Sequence, residues 1–228
     1  MKKATSVLLP LLLLALLAAC GGPAPAEESA APAPAAVPSP EPTPAPTEKP
    51  FSRGVIEGQT YSSDFLGLRF TAPEGWSFAD DEALAQRMGL SLDIIGDDVF
   101  GDKAELAKAI AQQAVIHDMA AFAPDNSANV QLTVEDLEAT GGAALTTEEY
   151  AELLRQQLLS VTDLNYEPEE AEQSALAGRP CVALLVRLRD YGMEQRFYLL
   201  REGKYMISVV LTGAEGALPD AETFFSAY

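Results

Sequence analysis

The sequence predicts an α+β fold, an antiparallel β-sheet flanked by helices in an α/β/α sandwich. Three observations predict it. Three strand-like runs follow one another between residues 181 and 211, one well-marked amphipathic helix occupies residues 146–161, and further helical signatures stand between the first strand and the strand pair and at the C-terminus. Strands gathered into a meander, with helices between and after them, pack as sheet against helix around one core.

The first strand falls on Asp64–Phe70, where Leu66, Leu68 and Phe70 alternate with polar or small residues, and it ends in the turn Pro73-Glu74-Gly75 that delivers Trp76 to the core. Asp80 or Asp81 can cap a short helix on which Leu84 and Met88 lie one turn apart. A second helix is expected from Asp102, with Leu106 and Ile110 on one face. Residues Val115–Phe122 and Val130–Val134 predict two strands, the second by strict alternation of Val130, Leu132 and Val134 with Gln131 and Thr133; an antiparallel pair is the simplest arrangement.

Thr146-Thr147-Glu148-Glu149 is a capping box: the Thr146 hydroxyl can accept from the Glu149 amide while the Glu149 carboxylate reaches back to the cap. The helix it opens carries Tyr150, Leu153, Leu154, Leu158 and Val161 at three- and four-residue spacing, a stripe that must lie on a sheet. Strands at Cys181–Arg189, Glu194–Arg201 and Lys204–Leu211 follow, joined by turns at Tyr191-Gly192 and Glu202-Gly203. Pro219-Asp220-Ala221-Glu222 reads as a helix start, and Phe224, Phe225 and Tyr228 would pack that last helical turn on the sheet.

This order, with Pro73-Glu74-Gly75-Trp76 closing the first strand, then a helix, a strand pair, a long helix, a three-stranded meander and an aromatic C-terminal helix, resembles the PsbP-like, or Mog-type, α/β/α sandwich over about Val55 to Tyr228. The resemblance implies binding and accessory roles more often than catalysis. It transfers no functional residue, because Pro73, Gly75 and Trp76 look like determinants of fold, and a shared fold does not carry a function with it.

The N-terminus gives an address. Lys2 and Lys3, an apolar run from Val7 to Ala19, and small residues at its end have the layout of an export signal. The run is too short for a spanning helix, which needs about 20 apolar residues, and it contains Pro10. Its end, Leu17-Ala18-Ala19-Cys20-Gly21, resembles the bacterial lipobox, which implies cleavage before Cys20 and a diacylglycerol on its sulfur. Two acyl chains suffice for durable anchoring at roughly 0.8 kcal/mol per buried methylene. Residues 1–19 are therefore expected to be a signal peptide and 20–50 a lipidated, Pro/Ala-rich disordered tether reaching up to roughly 90 Å. Residues 51–228 are expected to form a single domain, lipid-anchored at the extracytoplasmic face of the cell membrane. Its partners are then the bilayer and an envelope protein or small ligand, and the chain is expected to be a monomer.

Charge excludes one class of partner. The chain carries a formal charge of −19; three lysines and four glutamates precede Phe51, so residues 51–228 carry −18. Such a surface repels nucleic-acid phosphates.

The residue types that carry chemistry are sparse. His117 is the sole histidine, with Asp118 beside it, and no Gly-x-Ser-x-Gly elbow accompanies the pair. A structural histidine is the expectation, and no catalytic residue, metal or cofactor is assigned. Cys181 is the one cysteine besides Cys20 and is expected to be a buried, inert thiol. Asp93, Asp97, Asp98 and Asp102 form one acidic run, and Glu167, Glu169, Glu170 and Glu172 form another. The spacing does not match an EF-hand loop, but the acidic segments and the strong negative charge motivate an alternative reading as a calcium-responsive domain. Arg187, Arg189, Arg196 and Arg201 cluster on neighbouring strands, where pairing with carboxylates is expected and an anion site is the alternative. An envelope enzyme of unrecognised class is the third reading.

Overall fold

The computed structural model describes residues 51–80, 82–84, 114–161 and 164–228. Two antiparallel sheets, the helices at Leu137–Thr140 and Thr147–Ser160, a helical stretch at 82–84 and short 3-10 turns make up the regular structure of these residues. The small sheet runs β1 (Val55–Glu57), β2 (Thr60–Ser63), β3 (Leu68–Thr71) and then β12 (Phe225–Ala227). The large sheet runs β4 (Ser77–Phe78), β5 (Val115–Phe122), β6 (Asn129–Asp136), β11 (Tyr205–Ala214), β10 (Met193–Glu202), β9 (Arg179–Leu188) and β7 (Tyr166–Pro168). A further strand, β8 (Glu172–Leu176), pairs with the first half of β9.

The predicted α/β/α sandwich is overturned, because a second sheet covers the large sheet where the prediction placed helices. The C-terminal helix is not formed. Asp220 caps a single 3-10 turn, Ala221–Thr223, and the chain then extends as β12 against β3 with Phe225 opposite Phe70. Segments without a strand pattern, at 55–63 and 166–176, supply four more strands. The result is a β-rich fold with α2 (Thr147–Ser160) on the far side of the large sheet.

Two apolar layers hold it together. Between the sheets lie Tyr61, Leu66, Leu68, Phe70, Met119, Leu132 and Phe225, with Phe70 ringed by Phe78, Phe224 and Phe225. Between the large sheet and α2 lie Tyr150, Leu154, Leu158, Leu184, Phe197 and Leu199. Each large side chain buried in this way stabilises the fold by roughly 1.5–3 kcal/mol. Trp76 stands at the margin, half-buried against Phe224 rather than inside the core.

Several expectations match local geometry. The β9–β10–β11 meander has the predicted order, and the tight β10–β11 turn places Gly203 in the left-handed region at φ 55°, where a side chain would be strained. The β5–β6 pair is antiparallel. Asp80 accepts from the Ala83 amide at 2.8 Å, at the start of the helical residues 82–84, and Leu84 is buried. Met88 and the helix expected from Asp102 lie outside the described residues.

The capping box forms as read: Glu149 N donates to Thr146 Oγ1 at 3.1 Å, and Thr146 N donates to Glu149 Oε2 at 2.8 Å. Thr146→Ala is expected to cost about 1 kcal/mol by stranding an amide of the first turn. In a thermal melt this appears as a fall of about 2–4 °C, and an unchanged melt would show that tertiary packing alone holds the helix start. Upstream, α1 (Leu137–Thr140) is capped by Asp136, which also pairs with Lys204 at 2.7 Å. Arg201 donates to the carbonyls of Leu145 and Ala143, pinning the loop between the helices to the β10–β11 hairpin.

Candidate functional site

The outer face of the small sheet is concave. Antiparallel register places Val55 opposite Ser62 and Ser62 opposite Arg69 in one row, and Glu57 opposite Thr60 and Thr60 opposite Thr71 in the next. Alternate residues of these strands, Tyr61, Leu68 and Phe70, point into the core, so the intervening ones must point outward. With Tyr228 they line a cavity of about 570 Å³. The Arg69 guanidinium lies 4.8 Å from the centre of the Tyr228 ring, and the Tyr228 amide is held by the carbonyl of Gly67 at 3.1 Å. Val55 and Tyr228 are largely exposed at the rim.

This face was missed in the sequence because β1 and β12 carry no strand pattern of their own. The available signal was Arg69 between Leu68 and Phe70, an outward slot on a strand whose other face is core.

The residues singled out from sequence are engaged elsewhere. His117 is half-buried on β5, and desolvation pushes its pKa down to about 4, so it is a neutral imidazole at physiological pH. It is not paired with Asp118. A β-bulge between His117 and Met119 accompanies a turn of the Asp118 carboxylate toward the small sheet, where it accepts from the Tyr61 hydroxyl, from Gly54 N at 3.1 Å and from Arg53 Nε at 3.3 Å. Burial, together with this carboxylate, raises the Tyr61 pKa far above the usual phenol range, so the hydroxyl is a fixed donor.

Cys181 is 4% exposed, and burial pushes its thiol up to about 11, which leaves little thiolate at neutral pH. Of the arginine cluster, Arg187 pairs with Glu169 and Glu215, and Arg189 pairs with Glu167 at 2.6 Å and Glu215 at 3.1 Å. Arg201 serves the loop carbonyls described above, and Arg196 lies against the Tyr198 hydroxyl. Glu167 and Glu169 are thereby committed to ion pairs. Among the described residues no group of three or more His, Cys, Asp or Glu is placed to hold a metal ion. Cys20 and the run Asp93, Asp97, Asp98 and Asp102 lie outside the described residues. No helix among the described residues is long and apolar enough to cross a membrane.

A second polar feature is internal. On β6, Val130, Leu132 and Val134 face the small sheet, yet Asn129, Gln131, Thr133 and Glu135 on the opposite face are at most 2% exposed. Ser208 stands opposite Thr133 and Thr212 opposite Asn129 on β11, with Gln195 opposite Thr212 on β10; all three are buried. Glu135 accepts from the Tyr150 hydroxyl at 2.6 Å.

No protein-family model and no curated protein matches the chain. Among solved structures it is similar to the solution structure of cyanobacterial PsbP (CyanoP) from Synechocystis sp. PCC 6803, at 14% identity and a TM-score of 0.41, over 78% of this chain and 98% of that one. It is also similar to a Bacteroides thetaiotaomicron VPI-5482 protein, whose crystal structure is at 1.50 Å resolution, at 10% identity and a TM-score of 0.34 over 76% of this chain. There the match spans about half of the other protein, 49% of its length.

Proposed function

We propose that the chain is a lipid-anchored, extracytoplasmic binding or accessory module without a catalytic role of its own. The observation that carries this reading is Leu17-Ala18-Ala19-Cys20-Gly21 behind a short apolar run and two lysines, followed by a Pro/Ala-rich tether. The geometry of the described residues supports the second half. The candidates for acid–base or nucleophilic chemistry, His117, Asp118 and Cys181, are held as a desolvated imidazole, a fully engaged carboxylate and a buried thiol. Among the described residues, the outer side of the small sheet presents a cavity to solvent.

Cys20→Ser tests the anchor. In cells, the native chain is expected in the carbonate-washed membrane pellet, with its mature N-terminus at residue 20 bearing a diacylglycerol mass. The variant is expected in the soluble fraction. Equal sedimentation of the two would overturn the anchoring. Crosslinking in the intact envelope tests the accessory role, which predicts recovery of a defined partner or ligand; turnover of an envelope substrate by the purified chain would overturn it.

A further inference from the structure

We propose that the concave outer face of the small sheet binds a short, extended peptide with free termini, its carboxylate on Arg69 and its ammonium on Glu57. This deepens, and rests on, the reading of the chain as a binding module.

The first observation is the state of Arg69. Arg53, Arg155, Arg179, Arg187 and Arg189 each pair with a carboxylate, while Arg201 is spent on loop carbonyls and Arg196 on the Tyr198 hydroxyl. Among the described residues no carboxylate pairs with Arg69; its guanidinium rests on the Tyr228 ring instead. Contact with the ring leaves the N–H donors of Arg69 unspent on any carboxylate of the described residues, and a guanidinium can hold an incoming carboxylate by two parallel hydrogen bonds.

The second observation is Glu57 in the same cavity, likewise without an ion-pair partner among the described residues. Register places it two strands across and two residues along from Arg69. At about 4.8 Å per strand and 3.4 Å per residue the two Cα atoms are about 12 Å apart. An extended tripeptide spans about 10 Å. Between the charges lie the hydroxyls of Thr60, Ser62 and Thr71, which can donate to or accept from peptide groups, and Val55 and Tyr228 offer apolar walls at the rim. The volume, about 570 Å³, falls in the range of small-ligand sites.

Charge selects the ligand class. With −18 on residues 51–228, a free anion is repelled from the whole surface before it reaches one guanidinium, and a simple cation leaves Arg69 unmatched. A zwitterion with its charges about 10 Å apart carries no net charge and satisfies both ends.

Titration calorimetry of the full lipidated chain in detergent with trialanine tests this. Saturable binding is expected, weakened about tenfold by N-acetylation, by C-terminal amidation, by Arg69→Gln or by Glu57→Gln, each removing one charge-assisted contact. Arg69→Gln should be insensitive to amidation yet still sensitive to acetylation, and Glu57→Gln the reverse. Both residues are exposed, so unchanged melting temperatures are expected of the variants. No saturable heat with trialanine, equal binding of the blocked peptides, or acetate binding as tightly as trialanine would each overturn the proposal. Failure here with Cys20-dependent membrane attachment intact would remove the peptide site and leave the anchored module standing.

Discussion

Replacing Asp118 with alanine is expected to destabilise the fold by about 3 kcal/mol, seen as a drop of about 6–12 °C in the melting temperature. The Asp118 side chain is fully buried and accepts from three donors on the first strand pair and the segment leading into it: the Tyr61 hydroxyl, Gly54 N and Arg53 Nε. Removing it strands the Tyr61 hydroxyl, on a residue with no solvent exposure, and the Gly54 amide, at about 1–3 kcal/mol for each unsatisfied buried group. Arg53 adds less, because its side chain is 46% exposed and rehydrates. Tyr61→Phe leaves the carboxylate with two donors and should cost only about 1 kcal/mol. Gly54→Ala should also be damaging, because a Cβ there would run into the Tyr61 ring. A loss below about 1 kcal/mol for Asp118→Ala would mean that water replaces the lost acceptor and the cluster is not a structural clasp.

That clasp joins the first residues of the domain to β5. Phe51 sits in an aromatic group with Phe65 and Tyr205, at 5.3 and 5.9 Å, and Arg53 and Gly54 follow on Asp118. Any pull transmitted along residues 20–50 would enter the fold at these contacts before reaching the short pairing of β1 with β2.

What the sequence made legible follows the range of the interaction that specifies it. The capping box of α2 and the turns of the meander are set by residues within a few positions of one another, and they appear where the pattern places them. The small sheet is specified otherwise. β1 has three residues, all exposed, and β12 exists because Phe225 meets Phe70 across some 155 positions of chain. Local reading turns Phe224, Phe225 and Tyr228 into a helix, but only the partner strand decides that they extend. The candidate face inherits this difficulty, since Arg69, Glu57 and Tyr228 come together only through that sheet. Asp118 follows His117 directly in the chain, and a one-residue bulge accompanies its turn toward Tyr61. On β6 the alternation Val130-Gln131-Leu132-Thr133-Val134 ordinarily marks one solvated face, yet both faces are buried.

The buried polar face of β6 leads to the second large expected effect, a dependence of stability on pH centred on Glu135. Burial raises the pKa of this carboxyl, an effect that its hydrogen bond from Tyr150 offsets only in part. Because the folded value lies above the unfolded one, the folded state holds the proton more tightly. Below the unfolded value both states are protonated and the group is neutral in the balance; as pH rises through the folded value, stability is lost. Tyr150, fully buried with its own pKa raised by burial and by Glu135, remains a donor throughout. Tyr150→Phe removes that donor and should cost about 1 kcal/mol at pH 4, where the raised value keeps Glu135 protonated, and more at pH 8, to the extent that the carboxyl ionises there. Glu135→Gln should flatten the profile, being more stable than the native chain at pH 8 and nearly equal to it at pH 4. Replacing both partners by apolar groups, Glu135→Leu with Tyr150→Phe, should recover most of the loss of the single Tyr150 variant, because neither then strands the other. Denaturant unfolding at the two pH values reads all of this, and a Tyr150→Phe cost independent of pH would show that Glu135 keeps one protonation state across the range.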